Sequence, residues 1–545
     1  MPCMTEDREK ISATAPSARL DWQRAMKIVK FSTDANGYLE ASAGRPVTVM
    51  VSRQFYTPGE TAGGLSVFFT VLCIVDLFGV FPVVALPKTI ISCGIYGIPL
   101  VVALLALQLY TAVLLGRCWL LAQELQPDIR DKNRFPYAAI AELAFGSRVG
   151  SLVIFLIDAT VFGAAIPNFI FASQSMQLFW WKVSSGAVNV TYCVWMVIIG
   201  ILLCPIMWLG SPKEMKSVAV TSVCVVTTVA VCVWACILMD QTSPPPAAGL
   251  LSYVPSIRDF LVAYGIMAFQ FDIHPMLLTL QVDMADGRRV NSALLGGFAY
   301  TVTLSAVTTL LAALRYGSQV HSNILQGMEP SFPLYLVALL VTLQLCLSSA
   351  VSSSALFQHV EDLLKIPRSF CIQRCVIRST IVLLGIFLGE SVPRFDLIMG
   401  LVGSSLTGPL MFVFPPLFFV RLCYKKTRLR RHRLLRNKIR TGQWAAAGAG
   451  GGEQAAVRAR LPLLAERQHL EYDTFATAAV DVDEYSVRWY DVTLAALVVT
   501  LGGAATLAAV YSSWGDFVDS ATFTKPCLIN ATVAARTFVE SMADS

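Results

Sequence analysis

The sequence predicts an all-α integral membrane protein of about eleven transmembrane helices, arranged as an inverted 5+5 repeat with broken first and sixth spans plus one extra C-terminal span. Three observations carry this expectation. The chain of 545 residues is 55% hydrophobic and only 14% charged, where soluble domains carry about 25% charge, and its mean hydropathy is +0.61. Windows of about 20 residues without a charge, the length that crosses a bilayer, recur along it. Two of those windows, the first and the sixth, are interrupted by proline close to an acid.

Residues 1–61 are polar and of mixed charge. They read as a cytoplasmic tail without a signal peptide, so the first span, beginning near Leu65, acts as its own insertion signal. Spans are expected near 64–90, 94–116, 149–178, 192–209, 216–239, 257–281, 291–313, 332–358, 375–390, 396–422 and 489–511. The first ten make a core over 62–422, with Glu390–Arg394 as a tight outer turn between the ninth and tenth. Residues 423–488 read as a cytoplasmic loop, polybasic at first, then low-complexity ("AAAGAGGGEQAA"), then mildly acidic. Its Gly/Ala part is expected to be disordered. The eleventh span, 489–511, leaves residues 512–545 as an extracytoplasmic tail.

Cation placement sets the orientation. With the N-terminus cytoplasmic, the inner loops hold Lys213, Lys216, Arg288, Arg289, Lys365, Arg368, Arg374 and Arg378, and the loop after the tenth span opens with "RLCYKKTRLRRHRLLRNKIR" at 421–440. The outer loops hold Lys182, Arg258, Arg315 and Arg394. The sequons at Asn189 and Asn530 both fall outside and are candidate glycosylation sites. The basic run 421–440 suits anionic lipid headgroups, and equally a plain positive-inside stop. The net charge of +6 collects in these membrane-flanking loops and is no argument for nucleic acid. "YDTF" at Tyr472–Phe475 has the form of a tyrosine sorting signal. The 14 cysteines show no CxxC pair and no Cys/His metal spacing. Cys73, Cys204, Cys224, Cys232, Cys236 and Cys346 lie in apolar runs as small hydrophobes. Neither a disulfide framework, a metal nor a cofactor is expected.

An ionisable group at mid-membrane is costly and usually faces a bundle interior or an aqueous path. Span one carries Asp76, followed by Gly79, Pro82 and Pro87; span three carries Asp158; span six carries Asp272 and His274 in "FQFDIHP" at 269–275. Proline removes an amide donor and clashes with the carbonyl four residues back. Such irregular backbone survives at membrane depth only where protein buries it or it lines a cavity. A lone kink is routine in a membrane helix. A kink with a charge, in both members of a repeat-related pair, points to a substrate or ion site built at the breaks. Asp158 alone suits a structural hydrogen bond as well as a functional role. In span eight, "QLCLSSAVSSSALFQ" offers Ser348, Ser349 and Ser352, which suit close helix packing and also the lining of a substrate or ion position.

On these residues the chain resembles the amino acid/auxin permeases, a family that includes vesicular, vacuolar and lysosomal amino-acid transporters. The family's sixth span often reads G-G-H-x-x-F-P-x-[IV]-Q-x-D-M. Here "DIHPMLLTLQVDM" sets His274 on the motif's His, and Thr279, Gln281, Asp283 and Met284 follow its vesicular form. The Gly-Gly pair is replaced by Asp272-Ile273 and the Phe-Pro pair by Leu277-Leu278, with a proline moved to Pro275. The family's first span often reads N-x-x-x-G-x-G-[IV]-L-x-L-P. Anchored on Leu86-Pro87, its Asn falls on Asp76 and its glycines on Val80 and Pro82, with Gly79 one residue early. "ALFQHVEDLL" at 355–364 looks like the end of the family's eighth span. The resemblance covers about 62–422 and the last span. It implies eleven spans and a LeuT-type fold, and the departures add charge where substrate would bind.

The function expected from this resemblance is secondary active transport of amino acids or related small amines by alternating access, coupled to protons. Asp76 and Asp272 are expected to lie near each other across the breaks, where close carboxylates and a neighbouring His274 make a proton acceptor. His274 and Asp272 are the expected coupling groups, Asp76 binds the amine or shares the proton, and Phe269 and Phe271 wall the pocket. Two other readings stay open: sodium coupling with Asp76 as an oxygen ligand, and an amino-acid sensor with little net flux. A membrane enzyme using His274 as base lacks an orienting partner and a second motif, so no enzyme is expected. The sequence leaves open whether the plasma membrane or an endolysosomal or vesicular membrane holds the chain.

Overall fold

Glycine and proline decide where the apolar segments break. In the computed structural model, which describes residues 31–33, 39–41, 64–132, 135–187, 190–209, 215–240, 254–366, 371–392, 394–448 and 489–520, the first segment is three pieces. Helix α1 (Val67–Phe78) is capped by Ser66 and stops at Gly79, whose φ of 62° and ψ of −149° suit a residue without Cβ. Helices α2 (Phe81–Val84) and α3 (Leu86–Ser92) carry Pro82 and Pro87 in their first turns, where the missing amide is no loss. Next come α4 (Gly97–Leu125), a short α5 (Pro136–Phe145), α6 (Ser147–Val183), α7 (Tyr192–Leu209) and α8 (Met215–Met239).

The sixth segment repeats the pattern of the first. Helix α9 (Ile257–Gln270) opens with a capping box between Ser256 and Asp259. Its ladder ends at Phe271, and α10 (His274–Asp283) restarts with Pro275 in its first turn. Helices α11 (Val290–Tyr316), α12 (Phe332–Leu363) and α13 (Ile372–Ser391) follow. The tenth segment begins as α14 (Phe395–Val402), passes through two π-helical turns at Gly403–Thr407 and Pro409–Val413, and continues as α15 (Phe414–Gly448). Helix α16 (Trp489–Ser520) is the last.

Among the described residues, nine helices are long and apolar enough to cross a membrane, and Val67–Phe78 and Tyr192–Trp208 are shorter apolar helices. Every segment expected to span is therefore helical. Two features differ from the sequence reading. Helix α15 continues past the expected end of the tenth span near 422, through the basic stretch to Gly448, taking in Ala445–Ala447 of the tract expected to be disordered; Lys, Arg, Leu and Ala are good helix formers, and no proline interrupts the run. Cys193 is disulfide-bonded, although the six cysteines assigned to apolar runs are free. A three-residue antiparallel pair, β1 (Phe31–Thr33) with β2 (Leu39–Ala41), lies in the N-terminal region.

Small residues let the broken segments pack tightly. A Cβ on Gly297 of α11 would lie 2.4 Å from Ile74 of α1, and one on Gly265 of α9 would lie 2.5 Å from the Gly400 carbonyl of α14. Leu65, just before α1, bridges the end of α10: its amide donates to Asp283 O at 2.8 Å and its carbonyl accepts from the Ala285 amide at 2.9 Å. The long α6 and α12 pack along each other.

A buried ion pair fixes α12, α13 and α7. Arg378 Nε donates to Glu361 at 2.6 Å, Arg374 Nε donates to the same carboxylate at 3.1 Å, and Arg378 also donates to Met207 O at 2.5 Å. The guanidinium lies 5.3 Å from the centre of the Phe357 ring. Removing one member strands a buried charge, which costs about 3–5 kcal/mol. Glu361→Ala is therefore expected to lower the melting temperature of the purified protein far more than Arg394→Ala, because Arg394 is itself exposed in its pair with Asp396.

Candidate substrate site

The two breaks face each other. Phe78 meets Phe271 edge-on with ring centres 5.3 Å apart, and Phe81 meets Phe269 at 6.2 Å. Between the breaks, α6 and α12 lies a cavity of about 100 Å³. Gly79, Val80 and Phe81 line it from the first break, and Phe269, Gln270 and Asp272 from the second. Thr160 and Asn168 of α6, with Gln344, Ser348 and Ser352 of α12, complete the polar part of the wall. At roughly 10–15 Å³ per water, this space suits a small zwitterion.

The wall holds unusual polar atoms. Asp272 accepts a hydrogen bond from Thr407 at 3.0 Å through Oδ2, and Thr407 sits in the first π turn, a distortion frequent at functional sites. The other oxygen of Asp272, both amide atoms of Gln270 and Oε1 of Gln344 are buried without a hydrogen-bond partner among the described residues. Such atoms are rare in folded proteins and cost about 1–3 kcal/mol each unless something satisfies them. Three side chains lining one cavity with open hydrogen-bonding capacity mark it as a place for a polar guest. No Lys, Arg or His is in the lining.

The expected site residues divide into two groups. Gly79, Phe269, Asp272, Ser348 and Ser352 line the cavity, although the Ser352 hydroxyl is turned back onto Ser348 O at 2.8 Å. Asp76 is buried one layer behind, reaching the cavity through Gln344, whose Nε2 donates to Asp76 at 3.3 Å and to Ser222 at 2.5 Å. Ser349 is likewise behind the wall and accepts from Asn168 at 3.0 Å. Pro82 is buried in the first turn of α2 and is not part of the lining.

Two expectations are corrected outright. His274 is fully buried, and its Nε2 is hydrogen-bonded at 3.0 Å to Thr111 of α4. It is not among the residues lining the cavity with Asp272, whose partner is Thr407 in the tenth segment rather than α4. Phe271 is also fully buried, packed against Phe78 and Phe298; Phe269, two residues earlier, is the aromatic wall. Asp158 pairs with His359 of α12. The sequons at Asn189 and Asn530 lie outside the described residues.

Gln270, Gln344, Asn168 and Thr407 escaped sequence reasoning, which looked for charges. The available signal was a carboxamide inside an apolar run, seen for Gln344 in "VTLQLCL" and for Asn168 in "AAIPNFI".

The model of the family described as "Transmembrane amino acid transporter protein" matches residues 65–440. "Amino acid transporter AVT1B" of Arabidopsis thaliana is 20% identical over 351 residues, 63% of this chain and 62% of that protein. "Vacuolar amino acid transporter 3" of Schizosaccharomyces pombe is 27% identical over 174 residues, 30% of this chain and 26% of that protein. The chain thus spans less than two thirds of the length of the curated relatives it matches. Among solved structures, MhsT in complex with L-phenylalanine is similar at a TM-score of 0.49 with 12% identity, covering 83% of this chain and 99% of that one.

Proposed function

Because the chain belongs to the transmembrane amino acid transporter protein family, we propose that it carries amino acids or related small amines across a membrane, by alternating access around the cavity between the two breaks. The observation that carries this reading is the set of unpartnered polar atoms on Asp272, Gln270 and Gln344 around one small cavity. A zwitterion supplies what they lack. Its ammonium donates to the open oxygen of Asp272 and to Oε1 of Gln344, and its carboxylate accepts from Nε2 of Gln270. Phe81 and Phe269 give an apolar side chain a wall. An acid with no cation in the lining disfavours substrates whose side chain is itself acidic.

Transport is coupled to protons in this reading, with the N-terminus cytoplasmic and the basic stretch 421–440 against anionic headgroups. Sodium coupling is the second reading. It draws support from a relative called "Sodium-coupled neutral amino acid transporter 4" of Pongo abelii, 24% identical over 172 residues, 30% of this chain and 31% of that protein. Uptake of labelled amino acids and amines into proteoliposomes separates these. Wild-type protein is expected to accumulate a neutral amino acid under an inward proton gradient and not under sodium alone; the reverse pattern would move the coupling to sodium.

A further inference from the structure

A second cavity lies against the substrate cavity. Its lining includes Phe135, Asp158 and Thr279, and it shares Val161, Pro275 and Met276 with the substrate cavity. Pro275 and Met276 are the first turn of α10, so this one turn separates the two spaces. The second cavity is on the side of the break toward which α10 runs, where Arg288 and Arg289 follow.

Asp158 of α6 faces this space and forms an ion pair, Oδ2 to Nδ1, with His359 of α12. The two side chains keep 22% and 24% of their surface exposed. The Phe135 ring stands edge-on to the imidazole with centres 5.3 Å apart. The sequence left Asp158 open to a structural hydrogen bond or a functional role and showed His359 only within "ALFQHVEDLL".

We propose that the Asp158–His359 pair is the proton-binding site of the transport cycle, separate from the substrate cavity and in place of His274. This rests on the transport reading above. Three observations select the pair. A coupling proton must enter and leave, and His274 is sealed in the core while His359 and Asp158 stay partly exposed, with Asp158 in a cavity wall. The group must be able to take up and release a proton, which an imidazole nitrogen can do and the guanidinium of the Arg378–Glu361 pair cannot. The charge must act on the substrate site, and one turn of α10 forms the wall between them.

The proton inventory is simple. Nδ1–H is donated to Asp158 in both states. Nε2 takes a proton to give imidazolium beside carboxylate, of net charge zero, and returns it to leave neutral imidazole beside carboxylate, of net charge −1. Other ionisable groups stand on the surrounding elements. On α5, Tyr137 donates to Leu410 O at 2.5 Å and Glu142 lies against Gly150, two turns before Asp158. On α12, Glu361 holds Arg374 and Arg378, and Asp362 is one residue beyond. On α10, Asp283 is at the far end of the helix and Asp272 precedes it on the other side of the shared wall.

The test uses the full chain in proteoliposomes, comparing wild type with Asp158→Asn, His359→Gln and, as control, His274→Gln. Two readouts are taken: accumulation under an imposed pH gradient, and exchange of substrate at equal pH. For one proton per substrate, each pH unit drives up to about tenfold accumulation. Wild type and His274→Gln are expected to accumulate. Asp158→Asn and His359→Gln are expected to fall to about onefold while exchange continues, because the substrate cavity is intact. Gradient-driven accumulation retained by both variants would overturn the proposal, as would loss of exchange together with accumulation, which marks a structural pair. Wild-type exchange without any response to pH would also overturn it while leaving the transport reading standing. Absence of exchange in wild type would instead remove the transport reading itself.

Discussion

Asp272→Asn is expected to abolish high-affinity substrate binding while the protein stays folded. The substitution keeps the shape of the side chain and leaves a carbonyl oxygen to accept from Thr407, which now donates at 3.0 Å. What it removes is the charge that meets the substrate amine. Losing one member of a buried charge pair costs about 2–5 kcal/mol, on the order of thirtyfold or more in Kd. Substrate-dependent stabilisation of the purified protein against heat reads this directly. Wild type should melt higher with increasing amino acid, and Asp272→Asn should melt at one temperature throughout. An analogue lacking the amine should not stabilise the wild type. An unchanged response in Asp272→Asn would take the carboxylate out of the binding site.

The second large effect is structural and falls at the contact between α9 and the tenth segment. A Cβ on Gly403 would lie 1.9 Å from the Gly265 carbonyl oxygen and 2.9 Å from the Phe269 amide nitrogen. Both neighbours are backbone and cannot swing aside. Gly403→Ala must push α9 away from the π turns, at an overpacking cost on the order of 3 kcal/mol or more, and Gly403→Val more still. Because Phe269 and Thr407 belong to the displaced elements, binding is lost together with stability. Gly515→Ala, where an added Cβ meets nothing within 4 Å, is the control. Melting temperature in detergent is expected to drop sharply for Gly403→Ala and to stay near wild type for Gly515→Ala; equal values would show that the close approach is dispensable.

The fold was legible because a bilayer imposes a length and a polarity on every span. The breaks were legible for a related reason: Gly79, Pro82 and Pro275 are residues that a continuous helix excludes, and each sits where a helix stops or restarts. Side-chain direction within a break was not. Phe269 and Phe271, or Asp272 and His274, are two residues apart, and in irregular backbone neither the period of a helix nor that of a strand says which one turns inward. The Asp158–His359 pair joins residues 201 positions apart in sequence, and the contact of two long helices is a tertiary fact. Thr407, in the first π turn, meets Asp272 from 135 positions away in sequence.

The central claim is that the cavity between the breaks moves a small amine-bearing substrate across the membrane, and substrate counterflow tests it with least dependence on the coupling ion. Proteoliposomes holding the full chain are loaded with an unlabelled neutral amino acid and diluted into a trace of labelled amino acid, with no ion gradient. The account predicts a transient influx of label that depends on the internal load and disappears in Asp272→Asn. Saturable binding to wild-type protein with no influx at any load would contradict transport and make the cavity that of a sensor.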